Sequence, residues 1–251
     1  MRHETEIAIN AVQKAIALAD SREGADDVSS KGGIDLVTRT DLMCEDIIRE
    51  ELTQAFPDYE IVGEERGGEP VADRPYWLVD PICGTRPYAS NVPLYCTNVA
   101  LVEDGRVTVA AVGLGQSGET VFADNNTATC VRRNGEDYTV HADDSSNTLW
   151  VGGRGEIAAN AVRDVMIARK WYIWQFSSSI AYPFLATGRI SGLIHFSNHL
   201  SSVHTAAGCF VAEQAGAVVT SIDGNKWDME DRSYLIAANK ELHKELLSLL
   251  T

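Results

Sequence analysis

Three short segments of the chain gather carboxylates with small turn residues. Asp35-Leu-Val-Thr-Arg-Thr-Asp41 carries an aspartate at each end, and Gly63-Glu64-Glu65 directly follows a short apolar run. Trp77-Leu-Val-Asp80-Pro-Ile-Cys83-Gly84-Thr85 places a third carboxylate where another such run ends. Carboxylate oxygens are the ligands that hard cations such as Mg2+ take, and a Gly-Thr turn exposes backbone N–H groups that can hold an anion. Each segment alone reads better as a solvated turn; three together favour a site.

Other candidates carry less. His195 and His199 are four apart in the segment 192–202, but Asn198 and the neighbouring serines read as a loop, so a helical metal pair is not indicated. Both could instead line a pocket. Arg86, Tyr88 and Asn91 follow the Gly-Thr turn and could contact a substrate. The aromatic run Trp171–Phe176 reads as strand packing rather than as a ligand platform. The five cysteines are odd in number and form no C-x-x-C pair, so neither a disulfide framework nor a zinc knuckle is indicated.

Holding these segments in place requires a layered scaffold, and the apolar pattern supplies one. Helical periodicity covers 4–20 and 39–55, with a loop at 22–34 between them. Strands are expected at 59–62 and 76–79. Residues 98–132 then read as an antiparallel meander with an Asp104–Gly105 hairpin turn. Beyond it the pattern alternates: strand 149–152, helix 155–169, strand 171–176, helices 178–187 and 202–215, strands 217–220 and 234–238, and a final helix from 239. The expectation is an α+β half over 1–146 and an α/β half over 147–251, closed into one compact unit.

Of the 251 residues, 36 are acidic and 21 basic, a net charge of −15, which argues against partners bound through nucleic-acid phosphates. No apolar run suits a membrane span, and the start, MRHETEIAIN, lacks a signal peptide's apolar stretch. A cytoplasmic protein with a small-molecule substrate is expected.

The ordered set DLVTRTD, VGEE, WLVDPICGT and HTAAGCFVAEQAGAVVT, closed by WDMEDRSYLIAANKELHKEL, resembles the inositol monophosphatase superfamily of magnesium-dependent, lithium-sensitive phosphatases. The resemblance spans essentially the whole chain. It implies a layered αβαβα sandwich, usually homodimeric. It further implies a first metal held by Glu64, Asp80 and the carbonyl of Ile82, an attacking water oriented by Thr85 and Glu64, and Asp41 nearby. This chain departs from the pattern at two metal-ligand positions: the family's D-P-I-D-G-T reads D-P-I-C-G-T, giving Cys83, and its W-D-x-A-A motif reads Val203-His204-Thr205-Ala206-Ala207. Both lost aspartates would serve the second metal with Asp80. The family's sugar-binding glutamate falls near Ser197, and its G-S-A-A segment reads Ser177-Ser178-Ser179-Ile180-Ala181, which makes Ser177 and Ser178 candidate substrate contacts.

A thiol and an imidazole suit magnesium poorly. Ligands of one ion lie within a few Å of each other, so the resemblance puts Cys83, His204 and Asp80 within hydrogen-bond reach. The leading expectation is therefore metal-independent acyl transfer on an ester, thioester or amide: hydrolysis, transfer or cyclisation, possible in specialised metabolism. Cys83 would be the nucleophile, His204 the base and acid and Asp80 the orienter, with the Gly84 and Thr85 N–H groups as oxyanion donors. No cofactor is needed in that reading. The alternative is a one-metal, Mg2+-dependent phosphomonoesterase through Glu64, Asp80 and Thr85. A zinc hydrolase using Asp80, Cys83 and His204, and a non-catalytic binding protein, also stay open.

Overall fold

The computed structural model describes residues 1–32, 35–197 and 201–250. Chain order begins with α1 (His3–Ser21), β1 (Val28–Gly32), β2 (Asp35–Thr38), α2 (Arg39–Ala55), β3 (Glu60–Gly63), β4 (Tyr76–Cys83) and the short α3 (Thr85–Ala89). The meander follows as β5 (Cys96–Glu103), β6 (Arg106–Leu114), β7 (Glu119–Asp124), β8 (Thr127–Arg133) and β9 (Glu136–Thr139). The remainder is β10 (Thr148–Gly152), α4 (Gly155–Ala168), β11 (Tyr172–Trp174), α5 (Ala181–Ala186), β12 (Gly192–His195), α6 (Ser202–Gln214), β13 (Val218–Ser221), β14 (Tyr234–Ala237) and α7 (Lys240–Leu250).

Strands β3 to β9 form a seven-stranded sheet in sequence order, antiparallel except for the β3–β4 pair. A second, five-stranded sheet runs β11-β10-β12-β14-β13, with β10 parallel to both its neighbours. The apolar stripes of α1 and α2 (Ile9, Val12, Ile16, Ile48, Leu52) cover one face of the large sheet against Trp77, Val99 and Phe122. Helix α6 is apolar nearly all round, because it lies between the sheets: Phe210 and Val211 pack on the first, Cys209 and Ala212 on the second. The outer face of the small sheet is closed by Ala161 and Val165 of α4 and Leu242 and Leu246 of α7. This is the αβαβα layering.

The sequence pattern matches the long elements and misses the short polar ones. Asp104 and Gly105 both take positive φ (50° and 71°), the backbone of a two-residue hairpin turn that fits β5 to β6. The segment 22–34 reads as a loop, yet 28–32 pairs antiparallel with 35–38; β1 is exposed along its whole length, so no apolar alternation marks it. β12 also lies in a stretch that reads as loop, because its four residues are too few to show a period. The helix predicted over 178–187 is only Ala181–Ala186, because Ser178 and Ser179 turn their polar groups to Cys83. The aromatic run 171–176 yields only β11, at a sheet edge, with Tyr172 and Trp174 exposed rather than packed. Among the described residues no helix is long and apolar enough to cross a membrane.

Helices α5 and α6 touch through a glycine: a Cβ on Gly208 would lie 2.6 Å from Tyr182 Cβ. Tyr182 is fully buried and cannot withdraw. Gly208→Ala should therefore cost about 1–3 kcal/mol, measured as a lower Tm in thermal unfolding.

Candidate metal centre

Asp80 sits where β4 is deformed. Asp80 pairs with Asn98 and Cys83 with Cys96, so Pro81 and Ile82 together oppose Thr97 alone, a β-bulge pinned by the Thr97 hydroxyl donating to the Pro81 carbonyl at 2.7 Å. Asp80 is completely buried, and neither carboxylate oxygen has a hydrogen-bond partner. Burial first, then the nearby Cys83 and Glu64, push its carboxyl well above the usual carboxylate range. An orphaned, buried carboxylate is costly unless it is neutral or faces a cation. That fits a divalent metal ligated by oxygen.

Glu64 is delivered by the turn after β3. Its N–H donates to the Val79 carbonyl at 3.0 Å, tying the turn to β4. Underneath, the buried Glu45 of α2 accepts from the N–H groups of Glu65 (2.7 Å) and Arg66 (3.1 Å) and from Arg49 Nε (2.8 Å). Gly63 is required by this approach, since a Cβ there would fall 1.9 Å from Glu45 Oε1. Lys31 of β1 reaches across to Glu64 Oε1 (2.9 Å) and Glu65 Oε1 (2.5 Å). Burial works to raise the Glu64 carboxyl, but His204 and Lys31 outweigh it and hold it at about 2. On Glu65 burial prevails over Lys31 and pushes the carboxyl up to about 7.

Thr85 is positioned by α2. Thr38 and Asp41 form a capping box, in which Asp41 Oδ2 accepts from Thr38 N–H (2.8 Å) and Thr38 Oγ1 accepts from Asp41 N–H (3.3 Å). That leaves Asp41 Oδ1 to accept the Thr85 hydroxyl at 3.0 Å. Thr85 Oγ1 also lies 3.2 Å from the Ile82 carbonyl, and its single proton serves one of the two.

Comparison with known proteins decides what this arrangement belongs to. The profile of the inositol monophosphatase family matches residues 1–251. The chain belongs to the inositol monophosphatase family. It is 27% identical over 240 residues to an inositol-1-monophosphatase of Caulobacter vibrioides, covering 89% of this chain and 90% of that one. It is likewise 27% identical over 230 residues to a fructose-1,6-bisphosphatase/inositol-1-monophosphatase of Aquifex aeolicus, covering 88% and 84%. Among solved structures, a Thermotoga maritima IMPase superposes with TM-score 0.88 at 22% identity, covering 99% of this chain and 97% of the other, which supports the fold.

Membership in the inositol monophosphatase family corrects the leading expectation. A metal-independent acyl-transfer enzyme with a cysteine nucleophile is overturned, because the family is one of metal-dependent phosphatases and the relatives are named for phosphate release. The geometry gives the physical reason. Among the described residues Cys83 makes no hydrogen bond to His204; its sulfur accepts from the Ser179 N–H at 3.3 Å. The adjacent Cys96 thiol, and then burial, push the Cys83 thiol well above its ordinary value, the opposite of an activated nucleophile. Asp80 orients no imidazole. His204 faces Glu64 instead, Nε2 to Oε1 at 3.7 Å, with Nδ1 on Ser201.

Several other candidates take structural roles. Tyr88 is fully buried, and its hydroxyl contacts the Ala19 carbonyl (3.1 Å) and Thr40 (3.2 Å), so it fastens α3 to α1 and α2. Ser178 is buried and donates to the Cys83 carbonyl at 2.9 Å, while Ser177 is exposed. Gly84 takes φ 102° under Ser178 and the Leu94 carbonyl, where a side chain has no room. His195 Nδ1 lies 2.9 Å from the Tyr182 hydroxyl, and burial, aided by His204, pulls its imidazole down to about 3. Arg86 is exposed, and His199 lies outside the described residues. Glu45, Lys31 and Ser201 are additions the sequence reading lacks. The T-x-x-D spacing of Thr38 and Asp41 could have pointed to the cap, but nothing local marks the other three.

Gly63→Ala should displace the Glu45 carboxylate and free the turn that carries Glu64. The expected result is a loss of about 1–3 kcal/mol in denaturant unfolding, together with weaker divalent-metal affinity by calorimetric titration.

Proposed function

We propose that this chain is a metal-dependent phosphomonoesterase acting on a small phosphate ester. The observation that carries the reading is the fully buried Asp80 carboxylate, both oxygens unpartnered, beside Glu64; the resemblance adds the Ile82 carbonyl. The names of the relatives support the same class. These three groups would hold one divalent ion. When bound, the ion supplies charge neutralisation and Lewis-acid stabilisation to the phosphoryl oxygens.

The chain's own residues do the rest. Thr85 donates its hydroxyl proton to Asp41 Oδ1, so its lone pairs are free to accept from a water. Glu64 is ionised across the neutral range and is the second group placed to orient that water. The Gly84 and Thr85 amides lead into α3 and are proposed to meet the phosphate. Arg86 and Ser177, both exposed, are the side chains left to meet the alcohol part of the ester. The position of the relatives' sugar-binding glutamate falls near Ser197, which supports an alcohol other than inositol.

The five cysteines are free, which supports a reducing compartment such as the cytoplasm. A homodimer is supported by exposed apolar side chains on α4 (Ile157, Met166, Ile167) and on the edge strand β11 (Tyr172, Trp174). Light scattering should give twice the chain mass, and the double variant Tyr172→Glu, Trp174→Glu should give a monomer. A monomeric unmodified protein would remove the dimer reading.

Phosphate release from a panel of small phosphomonoesters, with divalent ion and with chelator, tests the activity. Chelation should abolish it, Glu64→Gln and Asp80→Asn should each lower it by at least about a hundredfold, and Thr85→Ala by about a hundredfold. Phosphate release indifferent to chelator and to Glu64→Gln would refute the reading.

A further inference from the structure

We propose that this centre takes a borderline transition ion such as Zn2+ in preference to Mg2+, with His204 Nε2 as a ligand beside Glu64 and Asp80. The inference rests on the reading of the site as a divalent-metal centre and names the ion class it selects. Among the described residues, Glu64, Asp80 and His204 are the set of potential metal ligands whose donor atoms, one from each, lie within 4.8 Å of one another. Asp80 contributes an independent sign, since it is fully buried and both its oxygens lack a partner.

His204 is held as a ligand would be. Helix α6 carries it at the third position after its N-cap, Ser201. Nδ1 lies 3.0 Å from Ser201 Oγ and 3.3 Å from both the Ser201 carbonyl and the Ser201 N–H, which donates to it in the capping box. To ligate through Nε2 the ring must give up that N–H bond and carry its proton on Nδ1, facing the Ser201 oxygens. In that tautomer the Nε2 lone pair faces the carboxylates, with the Ser201 oxygens as the outer partner of a ligating imidazole. At 3.7 Å, Nε2 and Glu64 Oε1 are too far apart for a good hydrogen bond. Two ligands of one tetrahedral ion sit about 3.4 Å apart, so little movement is needed.

The donor set selects the ion. Magnesium takes oxygen ligands and keeps much of its water, whereas imidazole nitrogen suits zinc, cobalt and nickel. The resemblance gives an aspartate where this chain has His204, so the nitrogen donor is this chain's own. Lys31 occupies Glu64 Oε1 at 2.9 Å and would have to yield; β1, which carries it, is exposed along its length.

The full chain, freed of metal, is titrated with Co2+ while its visible d–d absorption is followed, and the bound Co2+ is then displaced with Zn2+ or Mg2+. One Co2+ per chain is expected, with Zn2+ displacing it at no less than a hundredfold lower concentration than Mg2+. His204→Asp, which restores the relatives' oxygen donor, should shrink that ratio by at least tenfold. Zinc-edge X-ray absorption of the unmodified protein should show imidazole scattering, a readout that stands even if the variant folds poorly. Equal displacement by Mg2+ and Zn2+, or no imidazole signature, would overturn the proposal while leaving a metal-dependent phosphatase intact. Failure to bind any divalent ion would overturn both.

Discussion

A carboxylate buried inside strand β4 at its bulge, with nothing to hydrogen-bond among the described residues, is the constraint on which the rest of the site depends. Leaving Asp80 ionised and unpaired there would be costly, so the surroundings must either keep it neutral or bring a positive charge to it. The bulge at Pro81–Ile82 takes the chain out of the sheet register just past Asp80, next to the Ile82 carbonyl. Glu64 arrives from the neighbouring parallel strand, and Thr85 from the turn that ends β4. Each is fixed by a residue of α2: Glu45 under the Glu64 turn, Asp41 on the Thr85 hydroxyl. One helix thus sets the register of both halves of the site.

The two positions where the resemblance would give a metal-ligating aspartate have different fates. Cys83 is absorbed into the wall: its sulfur takes the Ser179 N–H, its carbonyl takes the Ser178 hydroxyl, and Cys96 stands opposite it. His204 keeps its place in the site, between Ser201 and Glu64. Residues that in relatives would surround one ion need not bond to one another, because the ion and not direct contact sets their spacing. That is why a nucleophile, base and orienter inferred from shared ligation do not assemble into a triad. Cys83 and His204 put no formal negative charge where the resemblance would put two, and Lys31 adds a positive one at Glu64.

Much of the frame is legible from local pattern. The amphipathic periods of α1, α2 and α7 and the Asp104–Gly105 turn follow from residue spacing and from the φ values that turn residues accept. The hairpin β1–β2 and strand β12 are not legible, since exposed polar strands and four-residue strands carry no period. Tyr88 illustrates the same limit within the site. It follows the Gly-Thr turn and so reads as a substrate contact, yet α3 turns it into the core, where its hydroxyl is consumed by α1 and α2.

The amino-acid sequence alone determined the family, the layered fold and the carboxylates that a cation would meet, because each is encoded in a motif of contiguous residues with its own local geometry. Only the tertiary structure decided what those residues touch. Cys83 and His204 are 121 positions apart in the chain, and their relation is set by how α6 packs between two sheets, which no spacing records. Asp80 shows the division most plainly: its place after an apolar run is written in the sequence, while its complete burial and its two unpartnered oxygens exist only once five layers have closed around it.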